Sequence, residues 1–438
     1  MTLKRERPAA PVRIVHIGAG AFFKAHQAWY TSSVDVSKEW GIAAFSGRSS
    51  QTIDELNAQD CVYTLIARDS EKEDVQQIES ITSAFDGSDV ENFSKFMQDP
   101  KVSMVTITVT EAGYRITNSG ELNLEDPVVI QDTEEIKNER FPTSALFRLA
   151  CGLHARKEAN AGPIAIVPCD NFPNNGKFVE NAIKQIFALY GSEELAWLTA
   201  NVSFVSTSVD RITPKVSKTD LEYIQNTLGI QDSSPVVTEM FSDWILQGDF
   251  PAGRPQWEKA GAKFVAEIAH FESRKLWFLN GAHSLIAYQG LNAGHTTVDE
   301  AIRNPEILSA VNNWWDEAEK VLQDSNLELS KYRTALLERF NNQKISHQLV
   351  QIAIDGSTKL SLRIVPVAEK LQNAPASAFV ISQWIKWVGS QETINDTRSS
   401  EIQTIKNNPV ELVTLLSPSL ADSGFMQLVN AELKTTSV

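Results

Sequence analysis

No run among the 438 residues stays apolar for long enough to span a bilayer, which excludes a helical membrane protein as the starting hypothesis. Cysteine is scarce. Cys61, Cys151 and Cys169 are odd in number, far apart and in no metal-ligand spacing, so the expectation is free thiols in a reducing cytoplasm rather than a disulfide framework or a metal centre. Clusters of positive charge are missing as well. Against 40 Lys and Arg stand 55 Asp and Glu, a formal net charge of -15, and without a basic patch such a chain repels nucleic acid and anionic membrane. Near the N-terminus, Pro8 to Val15 is too short and too interrupted for a signal-peptide core. No internal repeat and no low-complexity tract breaks the chain.

What is present reads as a folded protein: 42% hydrophobic and 22% charged residues are ordinary for globular chains, and the length favours two large domains over one. Val12 to Ile17 is an apolar run ending in Gly18-Ala19-Gly20, with helix-compatible residues from Phe22 to Tyr30 behind it. That is strand, tight turn, helix. Gly41 to Phe45, Val102 to Val109, Pro163 to Val167 and Val202 to Val209 read as further strands, separated by helix-length stretches such as Val90 to Met97. The alternation predicts a parallel sheet with crossover helices, an α/β Rossmann-type N-terminal domain over residues 1–262. Beyond Phe264 the pattern changes, with helical periodicity at Ile268 to Leu291, Pro305 to Leu322, Leu329 to Phe340, Ile345 to Ile354 and Ala376 to Trp387. A mainly α-helical C-terminal domain, residues 263–438, is the expectation.

Two glycines after a first strand, Gly18 and Gly20, let a backbone approach a pyrophosphate at a helix start, with Ala21 and Phe22 opening that helix. The third glycine of the common dinucleotide fingerprint is replaced by Phe23, so the motif alone reads equally well as a structural turn. After the second strand, where NAD enzymes usually offer the ribose a carboxylate, the chain has Ser46-Gly47-Arg48-Ser49-Ser50. Arg48 there suits a 2'-phosphate, or is a solvated turn residue. Cys169-Asp170-Asn171 follows another strand, a position that lines ligand crevices in open α/β sheets, although Asn also favours plain turns.

The segment from Glu272 to His283 is the most suggestive. At about 100° per residue, with Lys275 at zero, Glu272 falls near 60°, His283 near 80° and Asn280 near 140°. Leu276, Leu279 and Ile286 share that arc, which predicts polar groups within a buried stripe, where a lysine loses proton affinity and can serve as a general base. The same geometry also fits a structural network, or a lysine that snorkels to water.

These residues resemble the polyol-specific long-chain dehydrogenase and reductase family, of the mannitol 2-dehydrogenase and fructuronate reductase type. The spacing Lys275, four residues, Asn280, two residues, His283 is its most specific element. Ile14 to Gln27, Thr108 to Tyr114, Cys169 to Asn171, Val209 to Pro214, Gly253 to Pro255 with Trp257, and Asp355 to Ser357 with Lys359 match in order. The resemblance implies a Rossmann-type domain, a largely helical second domain and a zinc-independent site between them. It implies Lys275 as general base, Asn171 and Asn280 as donors to the developing alkoxide, His283 on the substrate hydroxyl and Glu272 in proton transfer to solvent. NAD, with NADP possible, would be held by Gly18, Gly20, Ala21, Phe22, Arg48, Thr110 and Glu111. A polyol or sugar acid would meet Asp210, Lys359 and Arg363. No metal, nucleic acid or membrane partner is implied, and the chain would be a monomer or weak homo-oligomer. Phe23-Lys24 departs from the His-Arg usual in the family, Met240 from a proline, and Gln351 with Leu360 to Arg363 looks more like the uronate reductases than the mannitol enzymes. An inactive sugar- or NAD-binding protein of the same fold is the competing reading. Retention of Lys275, Asn171, Asn280 and His283 together argues against it, since a binder needs no base.

Overall fold

In the computed structural model, which describes residues 3–434 apart from 36, 48, 49, 118, 119, 345, 346, 372 and 423, the chain forms two units, Met1–Ile268 and Ala269–Val438. The first is built on six parallel strands: β1 (Val12–Ile17), β2 (Gly41–Phe45), β3 (Ile81–Phe85), β4 (Met104–Ile107), β5 (Ile164–Pro168) and β6 (Val202–Phe204). Their order is β3-β2-β1-β4-β5-β6, that of dinucleotide-binding sheets. Strands β2, β4 and β5 are buried along their whole length, as parallel strands covered on both faces must be, and this is why they read as unbroken apolar runs. Alternate residues feed two cores: Ile14, Ala44 and Met104 on one face, Val15, Ala43 and Val105 on the other.

Two sequence readings change in this unit. The run Val202 to Val209 is not one strand: it leaves the large sheet after Phe204 and continues as Ser206–Asp210, antiparallel to Asp243–Gln247. Val202 and Phe204 keep one phase of the alternation and Val205, Thr207 and Val209 the other, so the change of sheet shows only as a one-residue slip in the pattern. The helix after the first strand likewise divides into α1 (Ala21–Ala25) and α2 (Gln27–Val34), broken at His26, whose φ of -120 and ψ of -89 are not helical.

Gly18 is the residue this turn depends on. Its φ is +103, and a Cβ would lie 2.0 Å from the carbonyl oxygen of Thr108, the residue after β4. Gly18→Ala is therefore expected to cost more than about 1 kcal/mol, since alanine is strained at positive φ and has no room here. Denaturant unfolding of the full chain checks it, and a variant as stable as the parent would mean the turn has another accessible shape.

The second unit is helical. Its first helix, expected from Ile268 to Leu291, is continuous but not uniform: α3 (Ala269–Arg274) passes into a π-helical turn, Lys275–Gly281, and then α4 (Ala282–Asn292). Ala282 to Tyr288 are all buried, which puts α4 inside the helical bundle rather than on its surface. Around it lie α5 (Pro305–Val321) and α6 (Gly356–Arg363), with Leu329–Phe340 and Pro375–Ser390. The helix expected over Ile345 to Ile354 is shorter, Leu349–Ala353; Ile345 lies outside the described residues, and Gln348 forms a bridge with Thr297 instead. Among the described residues no helix is long and apolar enough to cross a membrane.

Candidate functional site

In the first unit the glycine turn hangs from the sheet by its backbone, with the N–H groups of Gly18 and Ala19 both donating to Phe45 O, at 2.9 and 3.0 Å. Thr108 Oγ1 donates to Gly18 O at 2.9 Å. Gly20 differs from Gly18: its φ is -145, and a Cβ there would meet only Gly18 O at 3.7 Å. Nothing within the protein demands glycine at position 20. Among the described residues no side chain caps the start of α1, which leaves the N–H groups of that helix's first turn without an intrahelical partner. These are the features of a phosphate cradle, and Ala21 is exposed and Phe22 half-buried beside it.

Phe23, standing where the third glycine is usual, is fully buried and stacks flat on His16, with 3.5 Å between ring centroids and 7° between planes. His16 bonds Thr106 Oγ1 at 2.8 Å and Thr108 Oγ1 at 2.9 Å, and burial pushes its pKa down to about 3, so the ring is neutral. A neutral ring pair thus joins strand to helix where a glycine would otherwise let them touch. Lys24 is turned inward, its ammonium donating to Ser234 O and Oγ at 2.9 Å, and burial lowers its pKa to about 8. It is committed to the fold rather than to a phosphate.

Of the other first-unit candidates, Thr110 is exposed at the start of the short 3-10 turn Glu111–Tyr114. Arg48 and the Glu111 side chain lie outside the described part of the structure. Asn171 is exposed on the loop after β5, while its neighbour Asp170 is buried and organises that loop. Asp170 accepts from Tyr114 Oη and, at 2.7 Å, from the N–H of Phe172. Asp210 is buried at the end of its strand.

In the second unit the π-turn changes the angular argument. With hydrogen bonding from residue i to i+5 rather than i+4, residues five apart stand one turn above one another, so Lys275 and Asn280 share a face by register. The α-helical spacing of about 140° between them does not apply. Glu272, Lys275 and Asn280 are half-buried, Leu276 is half-buried rather than core, and His283 is buried. Its ring lies 4.9 Å from that of Phe340 and 5.2 Å from that of His347.

Positive charge collects around His283. Burial first, then His347, Arg339 and Arg363, hold its pKa well below the ordinary histidine value, so near neutral pH it offers one donor and one acceptor. Lys359 is shifted down by burial and by Arg363, and its ammonium donates to Ile352 O at 3.0 Å. The Arg363 guanidinium, brought down to about 10 by burial, donates from Nη1 to Asn280 O at 3.3 Å and Ser284 Oγ at 3.1 Å. Among the described residues neither Lys359 nor Arg363 has a carboxylate at salt-bridge distance. Of the nearby acids, Asp396 accepts from the N–H and Oγ of Ser357 at 2.8 and 2.7 Å and Asp355 from the N–H of Thr397 at 2.8 Å, and both act on Lys359 from beyond salt-bridge distance. Arg339, His347 and Ser284 were not among the sequence candidates. They lie far from Lys275 in sequence or on one continuous apolar helix, and only the fold gathers them.

The sequence shows no metal-ligand spacing, yet the fold brings His154, Glu158 and Glu194 within 4.8 Å of one another. The Lys157 ammonium already sits on Glu194, and His154 bonds the same carboxylate at 3.3 Å. This is an ion-pair cluster in which a lysine occupies the place of a cation.

Comparison with known proteins agrees with this division of the chain. Residues 12–259 match the model of the mannitol dehydrogenase Rossmann domain, and residues 267–412 that of the mannitol dehydrogenase C-terminal domain. D-mannonate oxidoreductase of Escherichia coli is 33% identical over 90% of this chain and 84% of its own. Mannitol 2-dehydrogenase of Aspergillus terreus is 32% identical over 92% and 86%. Among solved structures, a D-sorbitol dehydrogenase superposes with a TM-score of 0.90 at 26% identity, covering 99% of this chain and 94% of its own. A Pseudomonas fluorescens mannitol 2-dehydrogenase, solved with NAD and D-mannitol, gives 0.80 at 28%, covering 99% and 100%.

Proposed function

The chain belongs to the mannitol dehydrogenase family, and from that premise we propose that it moves a hydride between a nicotinamide cofactor and the secondary alcohol or ketone of a sugar acid, of the mannonate and fructuronate type. The observation that carries the choice of a sugar acid is the Arg363 guanidinium beside His283, which among the described residues has no carboxylate at salt-bridge distance and is held by neutral acceptors alone. A carboxylate on the substrate would balance it, and a guanidinium is the group best shaped to bind one. The relatives include enzymes named for both classes, a D-mannonate oxidoreductase at 33% identity and mannitol 2-dehydrogenases at 32%, so the choice rests on the guanidinium.

NAD is the expected cofactor, as in the Pseudomonas fluorescens relative, held at Gly18, Gly20, Ala21, Phe22 and Thr110. It supplies or accepts the hydride. NADP is also admitted, because the residues after β2, Ser46-Gly47-Arg48, include no carboxylate to repel a 2'-phosphate. Lys275 takes the alcohol proton in oxidation and returns it in reduction. Asn280, one turn along, donates to the oxygen on which charge develops. Neutral His283 holds the neighbouring hydroxyl, and Glu272 passes the proton on toward solvent.

The test is a spectrophotometric screen of D-fructuronate, D-fructose, D-mannonate and D-mannitol with both nicotinamide cofactors, run with and without a strong chelator. Turnover of the uronate pair above the neutral pair is expected. It should not change on chelation, because the lysine supplies the acid and base that a metal-bound water would otherwise provide. A preference for the neutral pair would remove the acid-substrate reading, and activity lost to chelator and restored by one metal would remove the metal-free one.

A further inference from the structure

A π-helical turn departs from the hydrogen-bond register of the α-helices on either side, and a carbonyl along it, with two lone pairs, can take a side-chain donor that fixes this register. In Lys275–Gly281 three carbonyls accept from side chains. Trp314 Nε1–H donates to Trp277 O and Trp315 Nε1–H to Phe278 O, each at 2.8 Å. Ser284 Oγ and Arg363 Nη1 donate to Asn280 O at 3.2 and 3.3 Å. Both indoles are fully buried and both belong to α5. A buried indole N–H requires an acceptor; here two neighbouring indoles take two consecutive carbonyls of the one non-α turn in the helix.

Gly281 closes the arrangement. A Cβ there would stand 2.9 Å from Cζ2 and Nε1 of Trp314 and 3.0 Å from its Cε2. Glycine at the last position of the turn is what lets the indole approach its carbonyl.

We propose that Trp314 and Trp315 are positioning residues for hydride transfer: their N–H groups hold the wide turn and, with it, the register that sets Lys275 one turn from Asn280. This rests on the functional reading above, in which Lys275 and Asn280 act on the same oxygen. If the turn tightened to α-helical spacing, residues 275 and 280 would stand about 140° apart around the axis, and either the base or the donor would leave the reacting centre. Neither tryptophan touches substrate in this account. Each acts through the backbone of the turn.

The test compares the unmodified protein with Trp314→Phe, Trp315→Phe and proteins carrying 2-naphthylalanine at position 314 or 315; phenylalanine removes the N–H with bulk, naphthylalanine removes it while adding one ring atom, so an effect common to both is that of the N–H. Turnover is expressed per NADH-binding site measured by calorimetry, so that partial unfolding does not count as slow chemistry. Amide exchange over residues 275–282 is followed in the same samples. The naphthylalanine proteins are expected to lose roughly ten- to a hundred-fold in kcat, the scale of a misplacement of about 1 Å. Substrate KM and NADH affinity should stay near the parent values, with faster exchange confined to the turn. Exchange at the parent rate in both overturns the clamp whatever the assay shows. Faster exchange with undiminished kcat overturns its role in positioning. If the unmodified protein turns over none of the sugar acids or polyols, it is the functional reading that fails, and the exchange rates still judge the clamp.

Discussion

Lys275→Met is expected to lower turnover by roughly two to four powers of ten, the span usual for a general acid or base, while NADH still binds. Methionine keeps an unbranched stem of similar length, so the packing beneath a half-buried lysine at the head of the wide turn changes little. What disappears is the group proposed to accept a proton from the alcohol and return it to the ketone. The cofactor contacts proposed at Gly18, Gly20 and Phe22 belong to the other unit and should not register the change. Fluorescence titration with NADH separates the two effects. A variant with near-normal turnover and normal NADH binding would show that some other group is the base.

Arg363→Leu should discriminate between substrates. With D-fructuronate and D-fructose compared as kcat/KM, an anchored carboxylate predicts a selective loss on the uronate of about 2–5 kcal/mol, the cost of truncating one partner of a buried charge pair. That corresponds to roughly thirty-fold to a few thousand-fold. Because the same guanidinium donates to Asn280 O and Ser284 Oγ, its removal is also expected to slow both substrates to some extent through the helix. The ratio of the two losses isolates the carboxylate. An equal loss on both would assign Arg363 to the helix alone and make a neutral polyol or ketose the better substrate class.

The cation cluster has a pH consequence of definite sign. Arg363 is lowered to about 10 and Lys359 is also shifted down, both first by burial. A folded pKa below the unfolded one means that the folded state binds fewer protons between the two values, so each charged group destabilises the empty fold below its folded pKa. The penalty lessens as pH rises through that value. An anionic substrate relieves the same penalty by pairing with the charge, so its binding and stability are coupled in the direction the sugar-acid reading requires.

Much of this protein is legible from its residues in order. The runs Val12 to Ile17 and Gly41 to Phe45 are strands with those bounds because parallel strands covered on both faces carry no alternation to misread. The turn at Gly18 is legible because only glycine fits a φ of +103 against the Thr108 carbonyl, and the family is legible in the spacing of Lys275, Asn280 and His283. Other features leave little mark on a one-dimensional pattern. The change of sheet at Val205 shows only as a one-residue slip in the alternation of a short stretch. The π-turn interrupts a helix whose apolar periodicity continues on both sides, so an even angular step carried from Glu272 to His283 accumulates error where the register widens. What widens it is supplied from elsewhere in the chain: Trp314 and Trp315 from α5, Arg363 from α6 and the open position at Gly281. Local sequence can specify a conformation whose hydrogen bonds close within a few residues. Where a carbonyl's donor lies tens of residues away, as Phe278 O is from Trp315 Nε1, the conformation is settled by packing, and so is the placing of the groups that do the chemistry.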